Sequence, residues 1–287
     1  TATSSKSKVR GLGTRELTVG KNTLPIRVTA EDGSEKIYNV NITRKREATS
    51  LKNEIMKNKI ITAEPTLTTS SNNTSDASGL YASTATNTGK PTYYFRGNIE
   101  NNYVNFAGFT WRIVRVNEDG TIRIIMQDGI NNNARYQFNL NNSNYTHMYY
   151  SNSQVKPILE NWYQTNIGSK LDLAKNVVSG AYYCEQAKAK LSDSATSGSA
   201  TMTTYNKYTP DFKCSSDGNG KGQVNASVGL LTYDEVVYAG GYTNQNNSNY
   251  YLNNPVIYWW TMSPDGFSGS FSNVWIVNST GSVSDTY

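Results

Sequence analysis

The sequence predicts an α+β protein in which antiparallel sheets are combined with two or three helices, preceded by a short all-β segment. Runs of alternating apolar and polar residues, typical of strands with one buried face, occur near both ends of the 287-residue chain. Residues 155–162 have apolar side chains at helical spacing, and residues 232–241 have a capping box followed by two glycines. The mean hydropathy of −0.59 and the lack of an apolar run of about 18 residues predict no membrane-spanning helix.

The first strands lie within residues 8–45. Leu24, Ile26 and Val28 alternate with polar residues, residues 31–34 supply a turn, and residues 37–42 alternate again, so a β-hairpin is expected. Two or three strands cannot close a sandwich alone. We therefore expect residues 1–45 to be part of a β-sandwich module or to pair with something else.

The next region, residues 46–78, changes character. Ser50 is placed to cap a short helix at residues 51–57, and a Ser/Thr/Asn/Gly-rich stretch with Pro65 follows. This composition predicts a helical linker and a polar loop.

Residues 79–287 are expected to form the main domain. Residues 111–116 and 121–126 alternate around an Asp119-Gly120 corner, which suits a tight hairpin turn. Helices are predicted from Ser153 through Trp162 and from Thr232 to Gly240, and strands at 256–262 and 273–278.

Two family resemblances add to these predictions. Residues 17–22, 26–34 and 38–44 resemble the second half of the cadherin-like β-sandwich repeat of bacterial surface proteins, which implies a partial stalk module at residues 1–45. Residues 93–97, 101–104, 111–115, 229–236, 258–264 and 274–277 resemble an uncharacterised domain family of Gram-positive gut-bacterial surface proteins.

The second resemblance extends to a C-type lectin-like fold, in the branch that includes formylglycine-generating and sulfatase-modifying domains. It implies that residues 79–287 form such a domain, truncated at its C-terminus, with ligands bound at the end that holds the 244–272 loops. The sequence lacks the Glu-Pro-Asn, Gln-Pro-Asp and Trp-Asn-Asp triplets of calcium-dependent sugar readers. The two closely spaced cysteines of the formylglycine enzymes are missing as well, so neither activity is expected.

Charge and cysteine content bear on partners and compartment. The net charge is +5, with +7 in residues 1–60 (13 Lys/Arg against 6 Asp/Glu) and −2 in the rest (14 against 16). The basic residues alternate along strands away from the aromatic clusters, so no nucleic-acid partner is expected. Cys184 and Cys214 favour a disulfide and export, and the alternative is a pair of free thiols in a cytosolic protein.

Location and missing segments are interpreted together. The chain opens at Thr1 without a signal-peptide pattern, which we interpret as the start of a fragment. We expect it to belong to a longer multidomain surface chain, extracellular and without membrane insertion of its own.

Catalytic candidates each have a structural interpretation that we favour. Cys184 and His147 are the candidate nucleophile and base, but His147 lies in a Tyr/Asn-rich stretch and is expected to be an exposed loop residue. Asp234 and Glu235 are adjacent carboxylates, yet their position at a helix start explains them as capping residues. We expect no catalytic residue, no metal and no cofactor.

Ligand contacts are expected from aromatic and amide loops. The expected contact residues are Tyr250, Tyr251, Trp259, Trp260, Asp265 and Phe267. Rigid amphipathic rings beside adaptable amides are the chemistry of many binding loops. The predicted function is non-catalytic binding or adhesion to a glycan or a protein; the alternatives are a purely structural stalk module and a glycan-acting enzyme.

Overall fold

The computed structural model describes residues 6–18, 20–44, 50–67, 76–139, 145–185, 199–200, 209–214, 222–268 and 272–286. Contacts divide the chain into two compact units, residues 1–54 and 55–287. No described helix is long and apolar enough to cross a membrane. The predicted α+β class is confirmed, with mostly antiparallel sheets and few helices.

The strands are β1 (Lys8–Arg10), β2 (Gly20–Thr29), β3 (Glu35–Arg44), β4 (Ile60–Ile61), β5 (Gly79–Ser83), β6 (Thr92–Arg96), β7 (Tyr103–Phe106), β8 (Phe109–Val116), β9 (Ile122–Met126), β10 (Ala181–Cys184), β11 (Ser199–Ala200), β12 (Gln223–Ala226), β13 (Tyr242–Thr243), β14 (Trp259–Ser268), β15 (Ser272–Val277) and β16 (Ser282–Thr286). The helical elements are α1 (Leu51–Ile55), α2 (Ile130–Asn133), α3 (Val155–Tyr163), α4 (Leu171–Ala174) and α5 (Tyr233–Ala239), of which α2 is a single irregular turn in a loop, with left-handed backbone at Asn131 and Asn132. Two 3₁₀ turns (Tyr145–Met148 and Tyr150–Asn152) and a π-helical turn (Gln164–Gly168) complete the described elements.

The first unit contains a three-stranded antiparallel sheet in the order β1-β2-β3. Leu24 pairs with Val40 and Ile26 with Tyr38, so these apolar side chains share one face. Tyr38 and Val40 are nevertheless exposed. The predicted hairpin is confirmed, and its apolar face is left uncovered by the described residues of this unit.

The second unit is built on two larger sheets and one small one. The first has the order β4-β5-β6-β8-β7, with β9 paired to β8, and the second has the order β11-β14-β15-β16-β13. Strands β10 and β12 form an antiparallel pair. The predicted 111–126 hairpin is confirmed as β8 and β9, and Gly120 supplies the positive φ (+86°) that its turn requires.

The two long helices form where local signals predicted them. In α3, Val155, Leu159 and Trp162 are buried, as the spacing required, and Ser153 Oγ accepts a hydrogen bond from Lys156 N at 3.2 Å. In α5 the Thr232–Glu235 capping box is present, and Gly240 ends the helix in the left-handed region with φ +119°. Both predictions are confirmed.

The core consists of aromatic clusters between these elements. One contains Tyr81, Tyr94, Phe212 and Tyr238, and another contains Trp111 and Trp162, whose rings meet edge to face at 6.3 Å. Trp111, Trp162 and Trp275 are buried, as their periodic positions predicted. These clusters determine which face of each sheet is buried and which face carries the solvent-exposed side chains.

Two segments differ from the sequence expectation. Within the expected linker, Ile55 is buried and Ile60–Ile61 forms β4, which pairs in parallel with β5, so the second compact unit starts before residue 79. Within the expected 244–272 loops, residues 265–268 are strand, because β14 continues to Ser268 through two register shifts around Pro264. Short apolar pairs and bulged strands have no clear periodicity, which explains both differences.

Candidate functional site

A small cleft beside the disulfide contains most of the buried charge of the second unit. Its lining comes from β8, β9, the start of α5 and residues 211–214. The lining residues are Arg115, Arg123, Cys184, Asp211, Phe212, Lys213, Cys214, Thr232, Asp234, Glu235 and Ser263. Because ionisable groups converge here, this cleft is the place to look for catalysis.

The buried acid of this cleft is already committed to structural bonds. Glu235 Oε1 contacts Arg115 Nε at 3.0 Å and Arg123 Nη1 at 3.1 Å, and Oε2 accepts from the Thr232 amide at 2.9 Å. Burial raises the pKa of the Glu235 carboxyl, but the two guanidinium groups and the cap hydrogen bond outweigh it, so the pKa lies below its usual value. Its neighbour Asp234 accepts from the Asp211 amide at 3.4 Å. The capping box formed by Thr232 and Glu235 confirms the capping interpretation of Glu235.

The disulfide closes one side of the same cleft. Cys184 at the end of β10 is bonded to Cys214, with Cα atoms 5.6 Å apart, within the normal range for a disulfide. The predicted pairing is confirmed, and it occupies the sulfur that the cysteine–histidine hypothesis required. His147 lies half-buried in the 3₁₀ turn Tyr145–Met148, not in an exposed loop.

Removing this cross-link is expected to lower stability substantially. The disulfide closes a loop with a sequence separation of 30 residues, for which chain entropy predicts about 3–4 kcal/mol. The Cys184→Ala/Cys214→Ala double variant should therefore unfold at a lower urea midpoint than the oxidised protein. Reductant should lower the midpoint of the wild type toward that of the variant and leave the variant unchanged; equal midpoints in all four conditions would contradict the prediction.

The structure corrects the expectation for the 244–254 loop. Tyr250 and Tyr251 are buried, so as placed neither ring is presented on the surface. Tyr250 OH donates to the Gly281 carbonyl at 3.1 Å, and the Tyr251 amide donates to the Gly97 carbonyl at 3.0 Å. Burial raises the pKa of both phenols. These hydrogen bonds anchor the loop, which is the physical reason that the rings point inward.

The remaining predicted contact residues lie on β14. Trp259 and Trp260 are both half-buried; Trp260 packs against the core, and its ring meets Phe138 edge to face at 5.7 Å. Asp265 is half-buried on the same strand. The side chain of Phe267 lies outside the described residues.

Sequence reasoning missed the two most exposed large apolar side chains of this region. Val256 is 74% exposed and Tyr258 is 64% exposed, in the segment that leads into β14. We call residues 253–258 the Tyr258 loop. The sequence predicts a strand from residue 256, whereas the strand begins at Trp259; the preceding Asn254-Pro255 pair is the turn signal that marks this difference.

The Tyr258 loop is fixed to a second loop. Asn254 Nδ2 donates to the Gln127 carbonyl at 3.2 Å, and Trp260 Nε1 donates to the Tyr136 carbonyl at 2.9 Å. The second loop, residues 127–136, presents the exposed amides of Asn131, Asn132 and Asn133, all with positive φ. The arrangement places exposed aromatic and amide groups on neighbouring, hydrogen-bonded loops.

Metal chemistry has no candidate among these groups, since the described residues include no set of three or more His, Cys, Asp or Glu side chains placed to hold an ion.

Comparisons with known proteins add no relative: no family model, no curated protein and no solved structure matches the chain.

Proposed function

We propose that the second unit is a non-catalytic binding module of an extracellular, cell-surface protein and that it recognises a glycan through the Tyr258 loop. The C-type lectin-like architecture and the surface-protein family expected from the sequence belong to the same proposal. The observation that supports it most directly is the exposure of Val256 and Tyr258 on a loop that hydrogen bonds hold at both ends.

The exposure of large apolar side chains on the fixed Tyr258 loop favours a ligand-binding role over a surface position without function. An exposed Tyr offers an apolar ring for a sugar face and a hydroxyl for hydrogen bonding, and the neighbouring Asn131–Asn133 segment adds neutral donors and acceptors. Because Asn254 and Trp260 already fix the loop, less conformational entropy is lost when a ligand binds.

The cleft supports the non-catalytic part of the proposal. A general acid or base must be able to exchange a proton with substrate near the working pH. Glu235 instead lies between two guanidinium groups with a lowered pKa, and Cys184 is bonded to Cys214. These groups serve the fold.

Replacing the exposed ring tests the proposal. The full chain, labelled and applied to glycan and protein arrays, should bind glycans, and Tyr258→Ala should weaken that binding at least tenfold because it removes the stacking surface. Tyr38→Ala, a half-exposed ring in the first unit, is the matched control and should leave binding unchanged. Binding to protein spots alone, or an equal loss in both variants, would contradict glycan recognition by this loop.

A structural role is the second candidate, favoured by the first unit. Its sheet has an apolar face that includes Leu24, Ile26 and Tyr38, and a face of that kind is expected to pack against a second β layer. A stalk or capping module would have this property without any ligand. Silence of the wild type on both arrays would favour this candidate.

A further inference from the structure

The solvent side of strands β7–β9 has an unusual set of side chains. Successive side chains of a strand point to opposite faces of the sheet, and one face of these strands packs into the core. The core-facing residues are Val104, Phe106, Trp111, Ile124 and Met126. The opposite face, by register, presents Tyr103, Asn105, Thr110 and Arg112, with Gln127 just beyond β9. We call these five residues the Tyr103 face; it combines one large ring with neutral polar groups and one cation.

Tyr103 presents an open ring on this face. The Arg112 guanidinium carbon lies 3.7 Å from its ring centroid, so one side of the ring is covered by a cation–π contact. The residue is nevertheless 43% exposed, and β7 is the edge strand of its sheet. The ring is therefore held in place while it keeps a surface for a ligand.

Three hydrogen bonds fix the guanidinium of Arg112 in place. Its Nε donates to Gln127 Oε1 at 2.8 Å, and its Nη1 donates to the Ile99 carbonyl at 2.8 Å and to Asn102 Oδ1 at 2.6 Å. Its Nη2 donates no hydrogen bond to any described residue and is not among the buried unpaired atoms, so it keeps access to solvent. Two N–H groups of a fixed guanidinium thus remain available.

The charge of Arg112 is not balanced locally. The buried Arg96 and Arg115 and the half-buried Arg123 each contact a carboxylate within 3.1 Å, whereas Arg112 has no carboxylate partner among the described residues. Partial burial lowers its pKa, and only the nearby Tyr103 and Tyr251 act in the other direction. A partly desolvated cation without a counterion costs free energy that an incoming carboxylate would recover.

The neighbouring loop adds polar atoms that lack partners. The Tyr251 hydroxyl and Asn253 Oδ1 are buried and have no hydrogen-bond partner among the described residues. The Tyr251 ring centroid lies 5.9 Å from the Arg112 guanidinium carbon. Unsatisfied buried groups are rare in folded proteins and concentrate where a ligand or ordered water completes the site.

We propose that the Tyr103 face is a subsite for a carboxylate-bearing sugar, such as a uronic or sialic acid residue. The sugar carboxylate accepts hydrogen bonds from Arg112 Nη2, and the sugar ring packs against the exposed edge of the Tyr103 ring. The amide and hydroxyl groups of Asn105 and Thr110 contact the ring hydroxyls. This inference rests on the proposed glycan-binding function and names its ligand class.

Titration with defined sugars tests the proposal. The full chain is titrated calorimetrically with 3′-sialyllactose and trigalacturonic acid, and with lactose and maltotriose as neutral counterparts. At least one acidic probe should bind at least tenfold more tightly than its neutral counterpart. Arg112→Gln should abolish that preference, and Tyr103→Ala should weaken the acidic probe at least tenfold.

Controls separate charge, folding and the Tyr258 loop. Arg15→Gln removes an exposed arginine of the first unit, outside both the Tyr103 face and the Tyr258 loop, and should change neither affinity nor preference. If Arg112→Gln fails to fold, as judged by thermal melting, Tyr103→Ala alone still decides, because that side chain is exposed. No binding of either acidic probe, or equal binding of acidic and neutral probes by the wild type, overturns the subsite.

The same variants distinguish this inference from the proposed function. Glycan-array binding that is lost in Tyr258→Ala but unaffected by Tyr103→Ala and Arg112→Gln leaves the Tyr258 loop as a binding site and refutes the subsite. Acidic-sugar binding that depends on Arg112 but not on Tyr258 refutes the role of the Tyr258 loop and leaves the subsite.

Discussion

Glu235→Gln is expected to destabilise the second unit by about 3 kcal/mol or more. The buried Glu235 carboxylate faces Arg115 and Arg123 and also accepts from the Thr232 amide. An amide in its place keeps the shape but leaves two buried guanidinium groups without an opposing charge. Urea unfolding followed by tryptophan fluorescence should show a lower midpoint with an unchanged m-value.

The same residue predicts a pH dependence with a definite sign. The pKa of Glu235 is lower in the folded protein than its ordinary value of 4.5, so the unfolded state binds the proton more readily. The stabilisation by Glu235 is therefore complete above that ordinary value and is lost as the pH falls through the folded pKa. The stability difference between wild type and Glu235→Gln should shrink as the pH falls below 4.5.

A surface carboxylate provides the matched control. Glu160 pairs with Lys156 one helical turn away on α3, and both side chains are partly exposed. Glu160→Gln should cost only about 0.3–0.5 kcal/mol, because solvent screens an exposed pair. Equal effects of the two substitutions would mean that the buried triad contributes no more than a surface ion pair.

Local chemistry explains why part of the fold was predictable. The capping box at Thr232–Glu235, the left-handed stop at Gly240 and the tight turn at Gly120 each depend on a few adjacent residues, and each forms as the sequence indicated. The α3 spacing is equally local, since Val155 and Trp162 belong to one helical face. By contrast, β4 depends on pairing with a strand about 20 residues away, which no local pattern specifies.

The candidate surfaces were less predictable, because exposure is a tertiary property. Tyr250 and Tyr258 both lie in polar, loop-like sequence, yet a hydrogen bond to Gly281 holds the first inside and the second remains outside. The partnership of Tyr103 with Arg112 follows from strand register, and the lack of a carboxylate partner for Arg112 among the described residues is a property of the folded chain that no local pattern specifies. The composition predicted that a binding surface would consist of aromatic and amide side chains, but it did not predict which residues would form that surface.

Arg96→Met should destabilise the second unit by about 3–5 kcal/mol, because Arg96 is only 1% exposed and its guanidinium donates hydrogen bonds to several partners at once. Nε and Nη2 donate to Asp76 Oδ2 at 3.0 and 2.7 Å. Nη2 also donates to the Thr66 carbonyl at 3.0 Å. Nη1 donates to the carbonyls of Val237 and Tyr238, in the last turn of α5, at 2.7 and 3.0 Å. A cation at a helix C-terminus also interacts favourably with the helix dipole.

Asp76→Asn separates the ion pair from the carbonyl contacts. It removes the charge of the partner but leaves Arg96 donating to the three carbonyls, so we expect it to cost at least about 1 kcal/mol less than Arg96→Met, since each buried carbonyl left without a donor is expensive. Urea midpoints of the two variants, with exposed Arg135→Met as the control, measure the difference. Equal losses for Arg96→Met and Asp76→Asn would show that only the ion pair matters. A difference between the two stability losses that is smaller than about 1 kcal/mol would mean that water hydrogen-bonds to the three carbonyls when Arg96 is replaced.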